Sequence, residues 1–248
     1  MNPMKISRKI IKPFFEIYMY IFGSRIAALK IKSIAKLYGR DVGKLVDLVF
    51  SFEYKQKIRS SWTVSLKPLQ VKSEIVYLCK VIQELNPKKI VEIGSASGGT
   101  LFLFAHVACP EKMVSIDLPA GSFGGGYPSW KIPLFKSLAK KKVIQLIRAD
   151  SHKEETLGKT RTLLKDEKVD FLFIDGDHTY QGVKQDFQMY SPLVKKGGIV
   201  SLHDIATHDP ASGCEVDRFW SEIKPTYRHI EIIEKLDQKW AGIGVLYF

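Results

Sequence analysis

The alternation of strand-like and helical stretches that begins at Leu69 constrains this chain more than any other feature. Apolar runs of strand length occur at Ile90–Ile93, Met113–Ile116, Val143–Ile147, Val169–Ile174 and Ile199–Leu202. Helical stretches lie between them, starting near Ser97, Tyr127, Lys153 and Thr179. Short apolar strands alternating with helices predict a parallel sheet covered on both faces, an α/β fold. The end of the chain departs from this pattern. Tyr227–Glu234 and Ala241–Tyr247 are strand-like runs joined by a polar link at Leu236–Lys239. They predict a hairpin, and so an antiparallel strand in an otherwise parallel sheet. With 45% hydrophobic and 26% charged residues over 248 positions, the chain has enough apolar surface for a full core.

In an open parallel sheet, ligands bind at the carboxyl ends of the strands. The residues at those ends are Glu92 to Gly94, Asp117, Asp150, Asp175 and the pair His203–Asp204. Helix capping accounts for one or two such acids, not for an acid after nearly every strand. The first turn reads Glu92-Ile93-Gly94-Ser95-Ala96-Ser97-Gly98-Gly99-Thr100. It lacks the middle glycine of a dinucleotide fingerprint, since Ala96 stands there. It also lacks the serine of a nucleophile elbow and the Lys-Ser/Thr pair of a P-loop. An acid just before the glycines disfavours a pyrophosphate and favours a cationic or hydroxyl-bearing ligand. Asp117 stands where an acid accepts hydrogen bonds from ribose hydroxyls, and Asp150 with Ser151 stands where an adenine edge would lie. The set points to S-adenosylmethionine rather than a nicotinamide.

The motifs VEIGSASGGT (91–100), SIDLPAGSFGGGYPSW (115–130), LIRADSH (146–152), FLFIDGDHTYQGV (171–183), KKGGIVSLHDI (195–205) and RFW (218–220) carry a resemblance. They resemble class I S-adenosylmethionine-dependent methyltransferases, most of all the cephalosporin-hydroxylase-like branch related to metal-dependent sugar and macrolide O-methyltransferases. The resemblance covers about residues 90–248. It implies a Rossmann-like sheet of order 3-2-1-4-5-7-6 with strand 7 antiparallel. It also implies that Glu92, Gly94 and Ser95 line the methionine end of the cofactor. Asp117 would hold the ribose, Asp150 and Ser151 the adenine, and Asp175 would close the same pocket. The Gly-rich loop Pro119–Pro128 is expected to fold over the pocket as a lid.

Asp175-Gly176-Asp177-His178 is the second strong signal. Asp175 and Asp204 are expected as oxygen ligands of a divalent metal, Mg²⁺ or Mn²⁺, with His203 adding nitrogen. Related enzymes often have two acids at 203–204, so His203 is a departure that tilts the metal away from Mg²⁺. Asp177 and His178 are the two candidates for the base that takes a proton from the acceptor hydroxyl. His178 is placed ahead, because Asp177 can instead brace the following helix. His106, His208 and His229 carry no motif, the role of His152 is open, and Phe219 with Trp220 is expected in the core. The three cysteines have no metal-ligand spacing and fit a reducing compartment.

The front of the chain differs from the body. Residues 1–90 hold 18 Lys and Arg against 6 Asp and Glu, while the rest is balanced, so the net +12 is confined to the front. Residues 4 to about 60 have helical periodicity, Pro13 should kink or restart the first helix, and residues 61–68 read as a linker. The expected division is a basic helical extension at 1–67 and a methyltransferase domain at 68–248. No run reaches the roughly 20 apolar residues of a membrane span, and no cleavage site or lipidation signal follows. The expected setting is cytoplasmic, with peripheral contact to an anionic membrane through residues 1–60, homo-oligomerisation as a further option, and no specific nucleic-acid partner. The expected activity is O-methylation of a sugar, glycan precursor or glycosylated natural product. Two rivals remain at this stage. One is a nucleotide-sugar glycosyltransferase using Asp175-Gly176-Asp177, and the other a non-catalytic membrane- or RNA-binding protein on the same fold.

Overall fold

The structure is a computed structural model that describes residues 13–55, 63–119, 126–140 and 142–248. Residues 1–12, and residues 120–125 of the expected lid, lie outside the described residues. The chain opens with helical residues 13–18, a π-helical turn at Met19–Gly23, and helices α1 (Ser24–Tyr38) and α2 (Val42–Ser51). Gly39 closes α1 at φ +58°, and the Asp41 carboxylate accepts the Lys44 N–H to cap α2. Strands β1 (Glu53–Lys55) and β2 (Thr63–Ser65) then pair antiparallel. The segment read as a linker therefore contains a strand, because Val64 is buried and anchors it.

The strands and helices of the body are α3 (Lys72–Leu85), β3 (Lys89–Ile93), α4 (Gly99–Val107), β4 (Lys112–Ile116), α5 (Ile132–Ser137), β5 (Ile144–Ile147), α6 (Glu154–Leu164), β6 (Val169–Ile174), α7 (Tyr180–Tyr190), β7 (Val194–His203), α8 (Val216–Ile223), β8 (Arg228–Ile232) and β9 (Ile243–Tyr247). The main sheet runs β5-β4-β3-β6-β7-β9-β8. Numbered within that sheet, the order is 3-2-1-4-5-7-6, and its last strand, β9, pairs antiparallel with both neighbours. Fold class and terminal hairpin match the expectation.

Strand register explains why the acids gather. Ile93 is level with Ile116 and Ile174, Ile116 with Ile147, and Ile174 with Leu202. The residues that follow these positions leave the sheet along one edge. Side-chain alternation splits the core in two. From β6, Phe171 and Phe173 face one layer, where Phe104 of α4 meets each ring edge-on at 5.2 Å. Leu172 and Ile174 face the other layer with Val183 and Phe187 of α7 and Phe219 and Trp220 of α8. Helices α1 and α2 share the first layer, since Ala27, Ile31, Leu45 and Val49 join the same cluster as Phe102 and Phe104. The Ser24 hydroxyl donates to the Trp130 carbonyl and ties α1 to the body.

Candidate active site

The strand-end edge opens into a cleft of about 560 Å³. The predicted residues Gly94, Ser95, Asp117, Asp150, Ser151, Asp175, Asp177, His178, His203 and Asp204 all line it. Glu92 does not. It is fully buried one residue before the edge, where Oε2 accepts the Ser95 hydroxyl at 3.0 Å. Burial pushes its carboxyl up to about 8. Oε1 has no hydrogen-bond partner among the described residues.

Local geometry shapes the first turn. Gly94 has φ +87°, and a Cβ there would stand 1.9 Å from the Asp175 carbonyl oxygen, so only glycine lets the β3 and β6 ends lie this close. The turn then wraps round Asp117, whose Oδ2 accepts the N–H groups of Ser95 at 2.7 Å and Ala96 at 2.8 Å. Burial raises the Asp117 pKa against those bonds. Its other oxygen, Oδ1, is buried without a partner among the described residues. A buried acceptor with spare capacity beside a glycine turn suits the hydroxyls of a ribose. Asp150 lies across the cleft, where its Oδ1 accepts the His152 N–H at 2.9 Å.

A second cluster lies beside this turn. Asp175 Oδ1 and Asp204 Oδ2 each stand 3.1 Å from His203 Nδ1, and Asp204 Oδ2 stands 3.1 Å from His178 Nδ1. His178 Nε2 is 3.6 Å from Asp175 Oδ1. Burial works to lower the His203 pKa, but the flanking Asp175 and Asp204 carboxylates raise it well above the usual histidine value. Burial likewise works to raise Asp204, yet the His203, His208 and His178 imidazoles hold it well below the ordinary carboxylate range. Asp204 adopts φ +65°, a left-handed conformation rare outside glycine, and the Ala241 N–H fixes it by donating to Oδ1 at 3.1 Å. Asp177 is engaged elsewhere. Its Oδ1 accepts both the Thr179 N–H at 2.9 Å and the Thr179 hydroxyl at 2.8 Å, while Thr179 caps α7 by accepting the Gly182 N–H.

Three residues of this cluster carried no motif. Gln70 donates Nε2 to Asp175 Oδ2 at 2.8 Å from the loop after β2. Because 105 positions separate the two, no local pattern could pair them. His208 Nδ1 lies 2.7 Å from the Ala206 carbonyl and Nε2 lies 3.2 Å from Asp204 Oδ1. Its hydrogen bond to Asp204 raises its pKa. The spacing of His208 four places after Asp204, in a strand-end loop, was the one available signal. Cys214 stands close enough to His178 and Asp204 that the ligating atoms of all three lie within 4.8 Å of one another. His152, left open above, lies with Nε2 3.1 Å from the Gly182 carbonyl and 3.4 Å from Asp186 Oδ1, linking the Asp150 loop to α7.

Residues 91–205 match the family described as a methyltransferase domain. The matched segment, a little under half of the chain, runs from within β3 to just past β7 and holds both the glycine turn and the acidic cluster, and the sheet around it has the Rossmann-like strand order. The chain is 16% identical to a cofactor-bound protein from MTB, with a TM-score of 0.53 over 96% of this chain and 95% of that one. It is also 16% identical to the O-methyltransferase of Bacillus cereus in complex with SAH, with a TM-score of 0.50 over 73% and 84% of the two chains. Two curated relatives are uncharacterized proteins. One, from Sinorhizobium fredii, is 25% identical over 68% of this chain, and the other, from Acanthamoeba polyphaga mimivirus, is 33% identical over 46%. The matches span 18% and 50% of those relatives' lengths.

Proposed function

We propose that the chain transfers a methyl group from S-adenosylmethionine to a hydroxyl of a sugar, glycan precursor or glycosylated natural product, with a divalent metal assisting. The observation that carries this reading is the adjacency of two differently built halves in one cleft. One half has the glycine turn and the unpartnered Asp117 oxygen. The other has two carboxylates and imidazoles converging within 3.1–3.6 Å. Asp117 accepts hydrogen bonds from ribose hydroxyls, while the Ser95–Ser97 turn approaches with its backbone. The methyl group of the cofactor sits on a sulfonium and needs no acid to leave, so the remaining problem is the acceptor proton.

The second half fits a divalent cation. Asp175, His203 and Asp204 each offer one atom within 4.8 Å of the others, and mixed oxygen and nitrogen donors favour Mn²⁺ over Mg²⁺. Such an ion, when bound, lowers the pKa of a coordinated hydroxyl. Because the flanking carboxylates hold a proton on His203, metal binding must release it, and affinity should rise with pH. His178 is the base we favour. Its Nδ1 lies 3.1 Å from Asp204 Oδ2, its Nε2 lies 3.6 Å from Asp175 Oδ1, and the ring lines the cleft beside the proposed metal ligands. At the cleft mouth the half-exposed Trp240 ring offers an apolar face for a sugar ring. Against the glycosyltransferase alternative, Asp177 Oδ1 is already held by the Thr179 N–H and hydroxyl.

The test is methyl transfer from labelled cofactor to a panel of glycosides, with and without chelator. Turnover should vanish in excess chelator and return with added Mn²⁺. Asp175→Ala should lose metal dependence and activity together. His178→Ala should still bind cofactor but lose about 10²–10⁴-fold in turnover. Full activity in chelator refutes the metal role, and an active His178→Ala protein refutes the base.

A further inference from the structure

Thirteen large hydrophobic side chains are exposed among the described residues, and eight of them lie between Phe14 and Leu37. The helical arrangement shows why this is a face rather than a scatter. Phe15, Met19, Gly23, Ala27, Ile31 and Ala35 are buried against the body, one every fourth residue. An α-helix has 3.6 residues per turn, so a strict four-residue row would drift round it. The π-helical turn at Met19–Gly23 takes up part of that drift and helps keep the row facing inward. The row two residues further on therefore points the opposite way. It comprises Ile17, Ile21, Arg25, Leu29, Ser33 and Leu37, and every member is exposed. Phe14, Phe22 and Ile26 flank it and are exposed too. A surface helix of a globular body normally turns polar residues outward; this one is apolar on both faces.

The charge of this part of the sequence is mainly positive. Residues 13–38 contain Arg25, Lys30, Lys32 and Lys36 against the single acid Glu16, and the preceding twelve residues add four more basic side chains and no acid. A second copy of the chain seated on this face would set positive against positive. An anionic bilayer complements it. Large apolar side chains with Lys and Arg around them are the composition of a helix lying in the headgroup layer. Among the described residues no helix is long and apolar enough to cross a membrane, and the inner row is already packed on the body.

We propose that the outward face of residues 13–38 docks the enzyme on an anionic phospholipid surface, with Phe14, Ile17, Ile21, Phe22, Ile26 and Leu29 in the headgroup–acyl boundary and Arg25 and Lys36 against lipid phosphates. The proposal does not depend on which acceptor is methylated. The test is flotation of the full chain with vesicles of phosphatidylcholine alone or with added phosphatidylglycerol. Wild type should float with the anionic vesicles, and raised salt should weaken that binding. Ile17→Ser/Leu29→Ser and Arg25→Glu/Lys36→Glu should each bind about tenfold or more weakly, with melting temperature and cofactor affinity unchanged because the altered side chains are exposed and lie outside the cleft lining. Absence of flotation, or equal flotation with neutral vesicles, overturns the proposal. So does a stable dimer in sedimentation that Leu29→Ser dissociates, since the face would then belong to a second copy.

Discussion

Glu92 is a carboxyl group sunk in the sheet, with no cation paired to it among the described residues. Its folded pKa of about 8 lies above the ordinary 4.5, so the fold favours the protonated form. A group of that kind stabilises most below the unfolded pKa, and its contribution is lost as pH rises from about 4.5 to about 8. Urea unfolding should therefore show wild type losing on the order of a few kcal/mol between pH 5 and pH 8. Glu92→Gln should lack most of that slope, and an identical slope in both proteins would count against the assignment. Asp117 behaves differently because the cleft reaches it. Asp117→Ala should weaken S-adenosylmethionine binding by about 1.5–3 kcal/mol, measured by calorimetry, through loss of a charged acceptor. Unchanged affinity would remove Asp117 from the cofactor site.

At the scale of elements, the turn from β6 into α7 gives the two neighbouring candidates for the base different partners. Asp177 is spent on Thr179 and the start of α7, whereas His178 reaches the acidic cluster. Asp177→Ala should then lower unfolding free energy by about 1 kcal/mol, through loss of the hydrogen bonds its carboxylate accepts from Thr179. It should retain most of its turnover, and a loss as deep as that of His178→Ala would return Asp177 to the chemistry. The short strand β2 shows the opposite relation between element and sequence. Thr63–Ser65 has too few residues to announce a strand, and its partner at Glu53–Lys55 decides its form.

For the whole molecule, the first helices share a buried layer with the body of the sheet. Ile31 is fully buried in the layer that holds Phe102 and Phe104. Ile31→Ala should lower stability by about 2–5 kcal/mol, with one unfolding transition seen by both fluorescence and circular dichroism. Two separated transitions would mean that the front folds as its own unit. One helix therefore serves two surfaces: its inner row completes the core, and its outer row carries the proposed membrane contact.

The sequence by itself determined the sheet and the edge that holds the site. Apolar runs of strand length between helical stretches have few packing solutions, and an acid after each run falls on the ligand-binding edge whatever the details. Tertiary structure alone decided which of those acids face the cleft. Glu92 and Gly94 are two positions apart, yet one is sealed beneath the turn and the other lines the cleft. Gln70 and Asp175, far apart in the chain, share a hydrogen bond that only packing could create. The reason is physical: periodicity records which way a side chain points from its own backbone, and contact depends on what a distant segment brings against it.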